Sequence, residues 1–361
     1  MKRQMKRKKA PEPLARRLMA LAAASVAFCA VFFSAGPDAL SSPTRSTVAE
    51  ALLRWELGDF SGAFAAQMSE SEEEEEGTTI VDGADESPEG GVGTASDEDN
   101  GVAARTLLPT SSSGYTVWKD VYIYNTTDYT IDMDSLMSSS RKATLSDDAP
   151  QVLIMHTHGS EAYTMPAGQE YEASGDCRTT DTEYNVVRVG DEMADAFENA
   201  GISVLHDRTL YDYPSYDGSY DRSMESIQRY LKKYPSIHFI IDVHRDAVSD
   251  SEGTVYKVVS EIDGKNAAQV SIIVGTDGSG LEHPDWRENL KLAAELQQDV
   301  CGKYPTLMRP MYVRNSRYNQ NATTGSILVE VGAAGNSLDE ALYSARLFAE
   351  CAAEVFARGA A

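Results

Sequence analysis

The sequence predicts an α/β domain in three layers, a mostly parallel sheet with helices on both faces. Three observations lead there. Short apolar runs recur from Gly114 onward, and segments of helical periodicity fall between them. Strands alternating with helices make a largely parallel sheet covered on both sides. The chain has 361 residues, and its N-terminal part is too polar or too short in apolar runs to build a core. That leaves roughly 250 residues, enough for one domain with a well-buried centre.

The strand-like runs are Val121–Tyr124, Val152–Met155, Ile202–Leu205, Ile237–Val243, Val270–Val274 and Ile327–Val331. Between them, Glu183 to Ala200 carries Val186, Val189, Met193 and Phe197 at helical spacing, with Gly201 as the stop. A second helix is expected from Asp221 to Tyr234, ending before Pro235, and a third begins near Asp285. The last begins at Ser337, where Ser337 and Glu340 form a capping-box pattern.

The N-terminal third divides by composition. Residues 1–17 are a basic leader with Lys2, Arg3, Lys6, Arg7, Lys8, Lys9, Arg16 and Arg17, and residues 18–35 carry no charge. The positive-inside rule then puts the leader in the cytoplasm and the remainder outside, an expectation of a single-pass membrane anchor at 18–35. Residues 36–113 form a membrane-proximal segment, with a weak amphipathic pattern over 38–67, followed by an acidic linker expected to be disordered. That linker includes Glu72 to Glu76, and no Lys or Arg occurs between Arg54 and Arg105. The catalytic domain is expected over 114–361.

The net charge of −24 argues against nucleic acid as a partner, since phosphate neutralisation needs clustered Lys and Arg. The four cysteines, Cys29, Cys177, Cys301 and Cys351, have neither disulfide-framework nor zinc-finger spacing.

Three strand ends carry unusual polar residues: Met155-His156-Thr157-His158-Gly159-Ser160-Glu161, Asp242-Val243-His244-Arg245-Asp246, and Glu330 inside Ile327-Leu328-Val329-Glu330-Val331. In open α/β sheets, sites gather at the carboxyl ends of strands. Two His and one carboxylate with an open position form a common catalytic zinc set. His158 and His244 can meet across the sheet. Glu183, opening a helix, is well placed to join them, and Glu161 is the local rival. His156 is an alternative ligand or a supporting group, as is Arg245. Asp242 and Asp246 can orient His244 through its second nitrogen. Glu330 lies in an apolar strand, where a charge is costly unless paired. It is either a base of raised pKa or the partner of an arginine such as Arg245 or Arg314.

These segments, together with His206–Tyr220, carry a resemblance over residues 115–357 to the stage II sporulation protein P family, cell-wall hydrolases of endospore-forming bacteria that are similar to zinc-dependent N-acetylmuramoyl-L-alanine amidases. The resemblance implies Zn2+ held by His158, Glu183 and His244, with Glu330 as catalytic base. It implies cleavage of the amide between N-acetylmuramic acid and L-alanine in peptidoglycan, and also of stem-peptide cross-links, during sporulation engulfment. It further implies sporulation proteins D and M as partners and a place in the mother-cell membrane facing the septal wall. Aromatic faces suit sugar rings and Arg suits stem-peptide carboxylates, so Tyr211–Tyr220 and Arg314–Thr324 are expected as groove walls. The sequence departs from the amidase pattern Asp-Pro-Gly-His-Gly at Met155-His156-Thr157-His158-Gly159, which keeps His156 in contention. The alternative is a non-catalytic wall-binding module on the same fold.

Overall fold

Nine strands form the main sheet of the computed structural model, and its order is set by where the apolar runs lie. The structure describes the strand backbone at 78–80 and 89–96, and residues 102–139, 149–165, 171–250 and 254–358. The strands are β1 (Thr78–Ile80), β2 (Glu89–Ser96), β3 (Ala103–Pro109), β4 (Thr116–Trp118), β5 (Val121–Asn125), β6 (Val152–Met155), β7 (Val204–His206), β8 (Phe239–Ser249), β9 (Tyr256–Ile262), β10 (Lys265–Ala268), β11 (Val270–Gly275), β12 (Met311–Arg314) and β13 (Gly325–Ala333). The helices are α1 (Met133–Met137), α2 (Val186–Asn199), α3 (Ser219–Lys233), α4 (Trp286–Lys303) and α5 (Leu338–Arg358).

The main sheet runs β4-β5-β12-β11-β13-β8-β6-β7, with β1 beside β8. It is mostly parallel, as expected, but it is built of two blocks. Strands β13, β8, β6 and β7 run one way, and β5, β12 and β11 run the other, meeting at the antiparallel pair β11–β13. Helices lie on both faces. Because side chains alternate along a strand, Ile241, Val243, Ile327, Val329, Ile272 and Val274 share one face. There they pack with Val189 and Phe197 of α2, Leu290 of α4 and Phe348 and Phe356 of α5. Phe356 stacks on Phe239 at 3.8 Å between ring centroids. On the other face α3 covers Leu153, Met155 and Ile240 through Ile227, Met224 and Leu231.

The helix starts have visible causes. The Asn185 side chain accepts from Val187 N and begins α2. The capping box of α5 closes in both directions: Glu340 N donates to Ser337 Oγ at 3.2 Å, and Ser337 N donates to Glu340 Oε2 at 3.1 Å.

Two expectations need correction. A second sheet, β10-β9-β3-β2, draws on the segment read as a disordered linker through residue 113. Strand β3 orders because Leu107 is fully buried and its backbone N donates to Gln269 Oε1 at 2.7 Å, while the β3 backbone pairs with β9. The single-pass membrane placement is also corrected: among the described residues, no helix is long and apolar enough to cross a membrane. The basic leader 1–17, the apolar stretch 18–35 and the pattern at 38–67 lie outside the described residues.

Candidate active site

Alternation along β8 places Asp242, His244 and Asp246 on the face that α3 only partly covers. His244 and Glu330 are register partners on the parallel pair β8–β13, so their side chains stand next to each other. Just past Glu330 the ladder shifts, and Gly332 takes φ +71, a left-handed conformation that glycine adopts without strain. His158 arrives from the turn after β6, the neighbour of β8 on the other side. The result is a cavity lined by His158, Glu161, His244, Glu330, Tyr312 and Arg314, among others. The site therefore lies over a face of the sheet, with only its β6 side formed by a strand end.

His158, Glu161 and His244 are each buried, and one ligand atom from each lies within 4.8 Å of the others. Glu161 sits between the two rings: Oε1 is 3.6 Å from His158 Nδ1 and Oε2 is 3.5 Å from His244 Nδ1. On its far side His244 Nε2 lies 3.1 Å from Asp242 Oδ1. Asp242 is itself held by Thr157, whose N and Oγ1 donate to it at 2.7 and 2.6 Å. A carboxylate behind a ligating imidazole fixes its tautomer and orientation. His158 stacks on Tyr216 at 4.5 Å between centroids, and its Nε2 is buried with no hydrogen-bond partner among the described residues.

The electrostatics are those of a buried charge cluster. Burial alone would hold His244 neutral, but Asp242 and Glu161 raise it well above the ordinary histidine range. Burial likewise opposes ionisation of Glu161, yet His244, His158 and Arg245 hold its carboxyl well below the usual value. The two carboxylates facing His244 thus demand a positive charge between them. Arg178 adds positive charge beside one of them, with its Nη2 3.6 Å from Glu161 Oε1. Two imidazoles and one carboxylate within reach of one another, with the unpartnered buried Nε2 of His158, fit a divalent metal ion.

Glu330 is different. Burial first, then the nearby Asp246, pushes its carboxyl up to about 8. Its Oε2 is buried with no hydrogen-bond partner among the described residues. Neither arginine considered as its partner pairs with it. Arg245 donates from Nε to Ala162 O and from Nη2 to Cys177 O, both at 3.0 Å, while Arg314 lies over the Tyr312 ring. Asp246 is engaged by the buried Arg309 at 2.5 Å.

The structure brings together His158, His244 and Glu330 but not Glu183. The Glu183 side chain is 68% exposed and faces Arg208 at 3.9 Å. Asn185, not Glu183, takes the helix cap and is buried, which leaves Glu183 outside on the loop. The carboxylate in the cluster is Glu161, carried under the cavity by a turn that Arg178 ties down through Asp212 at 2.8 Å. Arg245 supports it by donating its backbone N to Glu161 Oε2 at 3.0 Å. His156 points away from the cluster: Nδ1 donates to Val243 O at 3.0 Å, and Nε2 lies 2.8 Å from His206 Nε2. Burial and His206 lower its pKa to about 3.

That histidine pair depends on Gly190 of α2. A Cβ there would come within 2.6 Å of both His156 Nε2 and His206 Nε2. Gly190→Ala gains about 1 kcal/mol of helix propensity, but overpacking a tight core costs about 1–3 kcal/mol. The variant is expected to melt below the parent in a thermal or urea titration; an unchanged or raised midpoint would show that the pair can shift aside.

Comparison with known proteins agrees with the sequence resemblance. A family model described as Stage II sporulation protein P matches residues 57–353. The Stage II sporulation protein P of Bacillus subtilis (strain 168) is 30% identical over 220 residues, which is 58% of this chain and 52% of that protein, so the chain spans about half the length of the curated relative it matches. Among solved structures, the N-acetylmuramoyl-L-alanine amidase AmiC2 of Nostoc punctiforme is 14% identical, with 60% of this chain and 96% of that one covered and a TM-score of 0.30. The amidase Ami1 from Mycobacterium smegmatis is 14% identical, covering 60% and 99%, with a TM-score of 0.34. The CwlD amidase from Clostridioides difficile, solved in complex with the GerS lipoprotein, is 15% identical over 58% and 95%, with a TM-score of 0.33. At these scores the structural likeness is remote.

Proposed function

This chain belongs to the stage II sporulation protein P family, and on that premise we propose that it is a peptidoglycan hydrolase of sporulation engulfment that cuts the amide between N-acetylmuramic acid and L-alanine, with stem-peptide cross-links as a further target. The observation that carries this reading is the buried His158–Glu161–His244 set beside Glu330, a carboxyl with an unpaired oxygen and a pKa near neutrality. His158, Glu161 and His244 would hold Zn2+. Bound there, zinc supplies Lewis acidity toward the scissile carbonyl and makes water acidic enough to attack at neutral pH.

The chain's own residues do the rest. Asp242 fixes the His244 ring, and Arg178 with the Arg245 backbone fixes Glu161. Glu330 takes the proton of the attacking water and returns it to the leaving amine nitrogen. A group that must first accept and then donate works best with a pKa near the working pH. By family resemblance, sporulation proteins D and M are proposed as partners.

Purified sacculi test the reading. Incubation with the protein is expected to release new L-alanine amino termini, to stop on addition of a chelator, and to resume with Zn2+. Binding to sacculi with no new amino termini at any metal concentration would leave a wall-binding module in place of the enzyme.

A further inference from the structure

The cavity beside the cluster contains a cationic side chain that has no ion-pair partner among the described residues. Of the arginines around it, Arg245 spends its guanidinium on the carbonyls of Ala162, Cys177 and Asp246. Arg178 is tied to Asp212 and Glu161, and Arg309 is fully buried against Asp246. Arg314 lines the same cavity as His158, His244 and Glu330, yet among the described residues its guanidinium has no carboxylate within ion-pair distance. Among the described residues its guanidinium lies over the Tyr312 ring, with the guanidinium carbon 4.8 Å from the centroid. Tyr312 is buried and braced edge-on by Tyr124 at 5.7 Å. A guanidinium laid on an aromatic face keeps its N–H edge free for a planar acceptor, the geometry of bidentate carboxylate recognition.

Register gives the distance. Arg314 pairs with Gly275 on β11, and Ile273 pairs with Leu328 on β13, so Arg314 lies level with Ser326, two strands over and four residues before Glu330. That is roughly 16 Å between backbones, spanned by side chains reaching inward from both ends. The gap left between guanidinium and base matches a few residues of extended peptide at about 3.5 Å each.

We propose that Arg314 is a specificity residue that binds a carboxylate on the peptide arm of the substrate, within about three residues of the amide that is cut. The proposal rests on the hydrolase reading above and adds to it a requirement for an anionic peptide. The glycan side offers mainly neutral hydroxyls, so the charged partner lies on the peptide side.

Two soluble muramyl-peptides, one with free carboxylates and one with those groups as primary amides, separate the possibilities. The Zn2+-loaded protein is expected to favour the free acid at least about tenfold in kcat/KM, through KM rather than kcat. Arg314→Gln is expected to bring the ratio between the two substrates close to one, and Arg314→Lys to restore part of it. Equal cleavage of the two by the parent protein, or a ratio that Arg314→Gln leaves intact, overturns the assignment. Binding of both peptides to Glu330→Gln, with and without Arg314→Gln, is measured in parallel. If neither peptide is cut by the parent but the Glu330→Gln protein still prefers the acid in an Arg314-dependent way, the hydrolase reading fails and the carboxylate site stands. If the peptides are cut but bound without preference, the carboxylate site fails and the hydrolase stands.

Discussion

Glu330→Gln is expected to lower the hydrolysis of sacculi by about 10²–10⁴-fold, the range for removing a general base, while zinc still binds. Glutamine keeps the shape and the burial of the side chain but cannot accept the proton. The same substitution has a second signature in the metal-free protein. The Glu330 carboxyl is raised to about 8 in the folded chain, from an ordinary value near 4.5. Between those two values the folded state holds a proton that the unfolded state has released. The stabilisation is therefore complete below about 4.5 and is lost as pH rises through 8, with a slope of at most about 1.4 kcal/mol per pH unit. Glu330→Gln removes that titration, so the variant should gain on the parent progressively as pH rises from about 4.5 to 8, with the full difference reached above 8. Chelator-treated protein melted across pH 4 to 9 reads this directly. Retained activity in the variant would end the assignment of Glu330 as base, and a parent curve without the slope would mean that the carboxyl is paired in solution.

Glu161→Gln is expected to weaken zinc binding by more than the roughly 10–100-fold that loss of a supporting partner costs, and activity should fall with it. Glu183→Gln is expected to change neither. The contrast follows from position: Glu161 lies between His158 and His244, whereas Glu183 stands at the surface opposite Arg208. Zinc affinity measured by competition with a coloured chelator decides it, with sacculus hydrolysis in parallel. A Glu183→Gln protein that loses the metal, beside a Glu161→Gln protein that keeps it, would reinstate the residue expected from the sequence.

Glu161 rather than Glu183 lies in the cluster for a physical reason. His158, His244 and Glu330 follow from strand periodicity, because a polar residue at or inside a long apolar run is conspicuous. Glu161 offered only its three-residue distance from His158, and what carries it inward is a turn closed by Arg178 and Asp212, far along the chain. Glu183 had the plausible address at the head of a helix, but Asn185 took the buried cap and turned Glu183 outward. The second sheet was readable in part. Asp263 and Gly264, with φ of 52 and 73, make the tight turn between β9 and β10, and Asp-Gly between alternating residues is a strong hairpin signal. Strand β12, with Met311–Arg314, is only four residues long, and so short a run shows no clear period. Strand β3 was hidden because its apolar content is thin and its order comes from pairing with β9 and from Gln269.

His244 and Glu330 face each other as partners across the backbone ladder of two central strands, whereas His158 and Glu161 ride on a turn beyond β6. The two halves of the site are therefore mounted differently. The backbone positions of His244 and Glu330 cannot separate without breaking interstrand hydrogen bonds, so that side has a fixed mounting. The turn-borne side is held instead by side chains, with Arg178 on Glu161 and Tyr216 on His158. Substitutions that loosen the fastening should thus disturb metal grip and substrate entry together, leaving the base and its strand where they are.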